Sequence, residues 1–128
     1  MSEQKPYEIL GGPKALRELV DRFYDLMDLE PEFSELRAMH PPLLDGSRDK
    51  LFMFLSGWLG GPDLFVEQFG HPRLRARHLP FAVDTQARDQ WVKCMVRAMD
   101  EVGVDETLRL SLGVSFFKTA DFMRNQEG

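Results

Sequence analysis

The sequence predicts an all-α domain, and three observations carry that prediction. Apolar residues recur at helical spacing along nearly the whole chain, and no stretch alternates as a half-buried strand does. Proline and glycine pairs (Gly11-Gly12, Pro41-Pro42, Gly60-Gly61-Pro62) punctuate the periodic stretches, where helices must start and stop. With 128 residues and 43% hydrophobic content, the chain can bury one core without disulfides. Residues 1–128 are therefore read as a single domain.

Each element follows from local chemistry. A short segment around Tyr7 to Leu10 is cut off by Gly11-Gly12. Pro13 opens a first long helix to about Leu29, since its missing N–H costs nothing in an opening turn. Leu16, Leu19, Val20, Phe23, Leu26 and Met27 form its apolar face, with Tyr24 on the border. A short helix from Pro31 to about Met39 is ended by Pro41-Pro42. Ser47 to Leu59 reads as a second long helix, with Leu51, Phe52, Phe54, Leu55 and Trp58 apolar. Residues 63 to 71 read as an irregular linker or loose turn, and Pro72 to His78 as a short helix with proline first and Pro80 beyond it. Asp84-Thr85 can cap a third long helix to about Val102, closed by Gly103. It carries the stripe Trp91, Cys94, Met95, Ala98 and Met99. Asp105 caps a last helix, Glu106 to Met123, with Leu108, Leu112, Phe116, Ala120 and Met123 in line and Phe117 and Phe122 widening the stripe.

Composition removes several function classes. A formal charge of −5 provides no global basic field for nucleic acid. Cys94 stands alone, so there is neither an internal disulfide nor a cysteine-based zinc site. No signal peptide is visible and no apolar run is long enough to span a membrane, so a cytoplasmic protein is expected. Ten Phe, seven Met and two Trp either fill a helical core or line an apolar cavity.

The segment Gly70-His71-Pro72-Arg73-Leu74-Arg75-Ala76-Arg77-His78-Leu79-Pro80-Phe81 concentrates two of the three histidines with three arginines. His78 has Leu74 four residues before it and Phe81 three after. An imidazole in apolar company beside cations suits a ligand that is both metallic and anionic, and haem, with an iron and two propionates, is such a ligand. Taken alone, the same residues also describe a basic surface turn with a histidine at a helix end.

In its ordered set of marks the chain resembles a truncated haemoglobin of group II. The marks are Gly11-Gly12, Phe23-Tyr24, Gly60-Gly61-Pro62, Gly70-His71-Pro72-Arg73-Leu74, Arg77-His78 and Trp91, and they span nearly the full length. The resemblance implies a 2-on-2 helical sandwich around haem b. It implies that His78 is the proximal iron ligand and that Tyr24 and Trp91 are distal hydrogen-bond donors. It also implies that Lys50 and Arg77 meet the propionates, and that Ser47, Leu51 and Phe54 form the distal wall, with Leu74, Phe81 and Trp91 also against the cofactor. Many relatives carry tyrosine or phenylalanine where this chain has His40, which leaves open a third distal group. Ser47 stands where conventional globins place a distal histidine, so ligand stabilisation must come from elsewhere.

Each residue also has a plainer reading. Tyr24 can be a core-edge tyrosine bonded to backbone, Trp91 can be packing, and His40 can line a loop. His71 reads as a cap or structural hydrogen-bonder, Arg73 and Arg75 as solvated, and Cys94 as a small core filler. The function implied is capture of dioxygen, carbon monoxide or nitric oxide at a His-ligated iron. Firm retention of oxygen makes bulk transport a poor role. Nitric oxide dioxygenase or peroxidase-like chemistry fits better and requires a separate reductase, because no flavin or nicotinamide domain is visible. The alternatives are a non-catalytic haem-based gas sensor or ligand scavenger, and a haem-free helical adaptor.

Overall fold

The structure is a computed structural model describing residues 4–78 and 83–126, with Arg75 and Arg77 as backbone alone. Among the described residues every regular element is helical. In chain order they are α1 (Pro6–Leu10), α2 (Gly12–Leu29), a 3-10 turn (Pro31–Phe33), α3 (Ser34–Ala38), α4 (Asp45–Trp58), α5 (Leu64–Phe69), α6 (Leu74–His78), α7 (Thr85–Glu101) and α8 (Glu106–Phe122). Two helix pairs, α2 with α4 and α7 with α8, build the frame, and α2 packs on α7 to join them. This is the 2-on-2 sandwich. No helix of the described residues is long and apolar enough to cross a membrane.

The predicted stripes are the core. Leu16, Leu19, Val20 and Phe23 of α2 are wholly buried, as are Cys94, Met95, Ala98 and Met99 of α7. Each Leu, Val, Phe or Met among them withdrawn from water contributes about 1.5–3 kcal/mol. Leu108, Leu112 and Phe116 of α8 close the core, and Ala120 is buried beyond them. Both predicted aspartate caps form. Asp84 accepts from the Ala87 N–H at 2.8 Å, and Asp105 accepts from the Leu108 N–H at 3.2 Å.

Surface ion pairs tie neighbouring helices in register. Arg48 of α4 reaches Asp21 and Asp25 of α2, Arg22 of α2 pairs with Glu101 of α7, and Arg88 of α7 pairs with Asp121 of α8.

Four expectations need correction. Residues 63 to 71 are not an irregular linker: 64–69 form α5, because Phe65 buries itself against Phe54, with ring centroids 6.3 Å apart. Hydrophobic anchoring overrides weak local periodicity in so short a stretch. The helix expected from Pro72 starts at Leu74, since Arg73 adopts a φ of 47°, outside the right-handed region. The Pro31 helix is split into the 3-10 turn and α3. Phe117 and Phe122 do not widen the buried stripe. They are 42% and 64% exposed, and the guanidinium of Arg88 from α7 lies 4.7 Å from the centroid of the Phe117 ring.

The Gly60-Gly61-Pro62 mark has a steric cause. The Gly61 N–H donates to the Ser56 carbonyl at 2.8 Å, and the buried Ser56 hydroxyl donates to the Pro62 carbonyl at 2.6 Å, turning the chain sharply after α4. Gly60 has a φ of 96°, which favours glycine. A Cβ on Gly61 would come within 2.2 Å of a ring carbon of Tyr7, whose own N–H donates to the Leu59 carbonyl at 3.0 Å. Gly61→Ala should therefore dislodge α1 and cost about 1–3 kcal/mol of stability, as overpacking does. Urea unfolding checks this, and an unchanged midpoint would show that Tyr7 is free to move aside.

Candidate haem site

His78 closes α6, and the geometry of its ring defines its chemistry. Nδ1 lies 2.7 Å from the carbonyl oxygen of Leu74, one turn earlier. A carbonyl only accepts, so Nδ1 carries the proton and donates. In a neutral ring this tautomer makes Nε2 the nitrogen able to bind a metal. Leu74, which supplies that acceptor, is half-buried.

Tyr24 lies on the edge of the buried face of α2 and is 5% exposed. Among the described residues no group of the protein hydrogen-bonds its hydroxyl, and the hydroxyl is not sealed off as an unsatisfied buried atom. The plainer reading, a core-edge tyrosine bonded to backbone, therefore does not hold. Burial raises the phenol's pKa far above its usual value, outweighing the lowering effect of Arg48, whose guanidinium lies 5.8 Å from the ring centroid. Tyr24 is thus a neutral hydrogen-bond donor at any physiological pH.

Trp91 stands half-buried near the start of α7, its ring 5.2 Å from Phe23 and 5.5 Å from Phe116. Its indole N–H likewise meets no protein acceptor among the described residues. Phe23 also touches Tyr24, centroids 5.0 Å apart at 81°, so one buried ring sits between the two donors. The aromatic series continues from Phe116 to Trp58, stacked at 4.8 Å, and on to Phe54 at 6.5 Å. Sequence reasoning missed Phe23 and Phe116 as the supports of the donors. Their positions on the stripes were visible, but the contact across helices was not.

His40 follows α3. Its ring lies 5.9 Å from that of Tyr24, edge to face, and Nδ1 meets the Leu36 carbonyl at 2.9 Å. Burial lowers its pKa, against the raising effect of the Leu36 carbonyl, and the charges of Arg37 and His78 lower it further.

Leu51 and Phe54 are half-buried on α4, as is Ser47. Lys50 is exposed on the same helix. The side chain of Arg77 and the whole of Phe81 lie outside the described residues. His71 is structural, as expected: its Nδ1 accepts from the Arg73 N–H at 3.1 Å. Cys94 is sealed, donating to the Phe23 carbonyl at 3.2 Å, with its thiol pKa pushed up to about 12 by burial. It is a core filler and no nucleophile.

These donors suit haem. One imidazole offers a lone pair, two polar hydrogens lack protein acceptors, and the surrounding side chains are flat or branched and apolar. Among the described residues no group of three or more His, Cys, Asp or Glu could hold a metal ion, so a site with one imidazole and a macrocycle fits better than an all-protein cage.

Residues 5–125 match a family profile described as Bacterial-like globin. The chain is 41% identical over 121 residues to Group 2 truncated hemoglobin YjbI of Bacillus subtilis, covering 94% of this chain and 89% of that one. The chain belongs to the group II truncated haemoglobins. Its fold is similar to that of the group II 2-on-2 hemoglobin from Agrobacterium tumefaciens, with a TM-score of 0.94 at 40% identity, covering 100% of this chain and 98% of that one. It is likewise similar to the cold-adapted truncated hemoglobin of the Antarctic bacterium Pseudoalteromonas haloplanktis TAC125, with a TM-score of 0.93 at 48% identity and 96% and 99% coverage. For this truncated haemoglobin, family membership supports haem binding and haem-based capture of diatomic ligands.

The lowered pKa of His40 sets a pH dependence. As pH falls below about 6.5, the unfolded histidine takes up its proton before the folded one does. The stability that neutral His40 contributes is present above that value and lost as pH falls through the folded pKa. His40→Phe should remove this component. Urea unfolding of both proteins from pH 7.5 to 5 should show a shallower loss in the variant, and parallel curves would refute it.

Proposed function

We propose that this truncated haemoglobin holds haem b through His78 and uses Tyr24 and Trp91 to retain ligands that carry negative charge, for redox chemistry rather than oxygen delivery. The observation that supports this reading is the Tyr24 hydroxyl: carried on a side chain only 5% exposed, protonated and without a protein acceptor among the described residues. The hydroxyl is not sealed from solvent, so its hydrogen stays available to a ligand that accepts it.

Haem, when bound, supplies an iron that captures a diatomic molecule and exchanges electrons with it. The chain supplies the rest. His78 presents Nε2 and is held in one tautomer by the Leu74 carbonyl. Lys50 and Arg77 are the cations we assign to the propionates. Leu51, Phe54, Leu74, Phe81 and Trp91 exclude water, and Ser47 adds no strong donor. Tyr24 and Trp91 are donors fixed before the ligand arrives, so no reorganisation is needed when charge develops on it. They favour a polarised dioxygen over neutral carbon monoxide. His40, neutral beside Tyr24, offers a third polar group to the same region.

Slow oxygen release follows, which suits oxidation of nitric oxide or turnover of peroxide, with electrons from a separate reductase in the cytoplasm. Consumption of nitric oxide or peroxide under a supplied reductant separates this enzyme from a gas sensor, which would show none.

The ligand assignment has a direct test. His78→Gly should lose the ferrous spectrum of the wild type, and added imidazole should partly restore it. Unchanged haem affinity and spectrum would reject it.

The donors are tested by Tyr24→Phe and Trp91→Phe. A hydrogen bond to a charged group is worth about 1.5–3 kcal/mol, so oxygen should leave roughly 10- to 100-fold faster in each. Carbon monoxide release should change little in Tyr24→Phe. Equal effects on the two gases, measured by flash photolysis and ligand replacement, would show a steric role instead.

A further inference from the structure

We propose that Asn125, beyond the end of α8, is a positioning residue for His78. The inference rests on the reading of His78 as the iron ligand. Beyond Phe122 the chain brings Asn125 against the end of α6. Its Nδ2 donates to the His78 carbonyl at 3.2 Å, and its Oδ1 accepts from the Val83 N–H at 2.9 Å. Its own N–H donates to the Val83 carbonyl at 2.9 Å, and the Gln126 N–H donates to the same oxygen at 3.2 Å. One side chain thus joins the end of α6 to the residue that precedes the cap of α7.

The chemistry calls for an amide. The contact needs a donor and an acceptor on one short side chain, and a carboxamide offers them on two separate atoms, Nδ2 for the His78 carbonyl and Oδ1 for the Val83 N–H. It is also needed where it stands. The last carbonyls of a helix must find donors outside the helical ladder, and a five-residue helix has almost no stability of its own. The Nδ1 bond to Leu74 orients the ring relative to α6, but something must orient α6 relative to the core. The C-terminal turn does so, and it is itself anchored. Asp121 of α8 accepts from Arg124 at 2.7 Å and from Arg88 of α7 at 2.8 Å. Val83, the other residue gripped, is buried. His78 is thereby held twice, by its ring within α6 and by its backbone from α8.

The test uses the full-length haem protein and three substitutions. Asn125→Ala removes both side-chain contacts. Asn125→Asp keeps the acceptor for Val83 but sets a carboxylate against the His78 carbonyl. Leu108→Ala weakens α8 from its buried face without touching His78. Two readouts apply: the iron–histidine stretching band in the ferrous resonance Raman spectrum, and the rate of haem loss to a scavenging apoglobin. Both Asn125 variants should shift or broaden the band, and losing a hydrogen bond of ordinary strength should speed haem loss roughly 3- to 10-fold. Amide exchange at Val83 is a haem-independent readout, and its protection should fall in Asn125→Ala. A wild-type band in both variants, with haem loss within about twofold, would overturn the proposal. So would a band change of equal size in Leu108→Ala, which would make the effect one of general stability. A wild type with no iron–histidine band would instead remove the ligand assignment, and the proposal with it. That outcome is recognised because Val83 protection would still respond to Asn125.

Discussion

The burial of α2 is the constraint on which the rest of the structure depends. Leu16, Leu19, Val20, Phe23, Leu26 and Met27 are all within 1% of complete burial. A face that wide cannot be covered by one neighbour, so α2 must pack against both α4 and α7. At about 1.5–3 kcal/mol for each large side chain, the burial outweighs any single surface ion pair, which contributes about 0–1 kcal/mol. Two helix pairs sharing one central helix is the architecture that satisfies it. Tyr24, on the margin of that face, is carried inside with a hydroxyl that no backbone group of the described residues accepts.

The same packing explains why the site is both apolar and polar. Phe23 and Phe116 seat Trp91, and Phe23 seats Tyr24, so the two donors are positioned by rings rather than by hydrogen bonds. Their polar hydrogens are left unspent. Histidine is treated in the opposite way: His40 and His78 each commit Nδ1 to a carbonyl four residues earlier. That commitment removes the choice of tautomer and leaves the other nitrogen defined. The two devices complement each other, since a site for a diatomic ligand needs a fixed lone pair on one side and fixed donors on the other.

The division between rigid and dependent parts follows chain length within each element. The long helices carry the buried stripes and hold themselves together through many side chains. α5 and α6 have six and five residues and depend on anchors outside themselves: Phe65 against Phe54 for α5, and Asn125 for the end of α6. In the proposed reading the iron ligand sits on α6, so its precision is supplied by neighbours rather than by its own helix.

The sequence by itself determined the all-α class, the four long helices and their inward faces. Helical periodicity and aspartate caps act locally and can be read from neighbouring residues. The ordered motif also pointed to His78, Tyr24 and Trp91 as residues to watch. It did not reveal that 64–69 is a helix, that α6 waits until Leu74, or that Phe117 faces outward. Those depend on which side of a helix another element covers and on one backbone angle at Arg73. Only the tertiary structure decided that the Tyr24 hydroxyl meets no protein acceptor among the described residues, that His40 lies beside it, and that Asn125 grips His78. Such contacts join residues up to 47 positions apart in the chain. Nothing in local propensity encodes them: they arise when buried faces meet and bring distant side chains together.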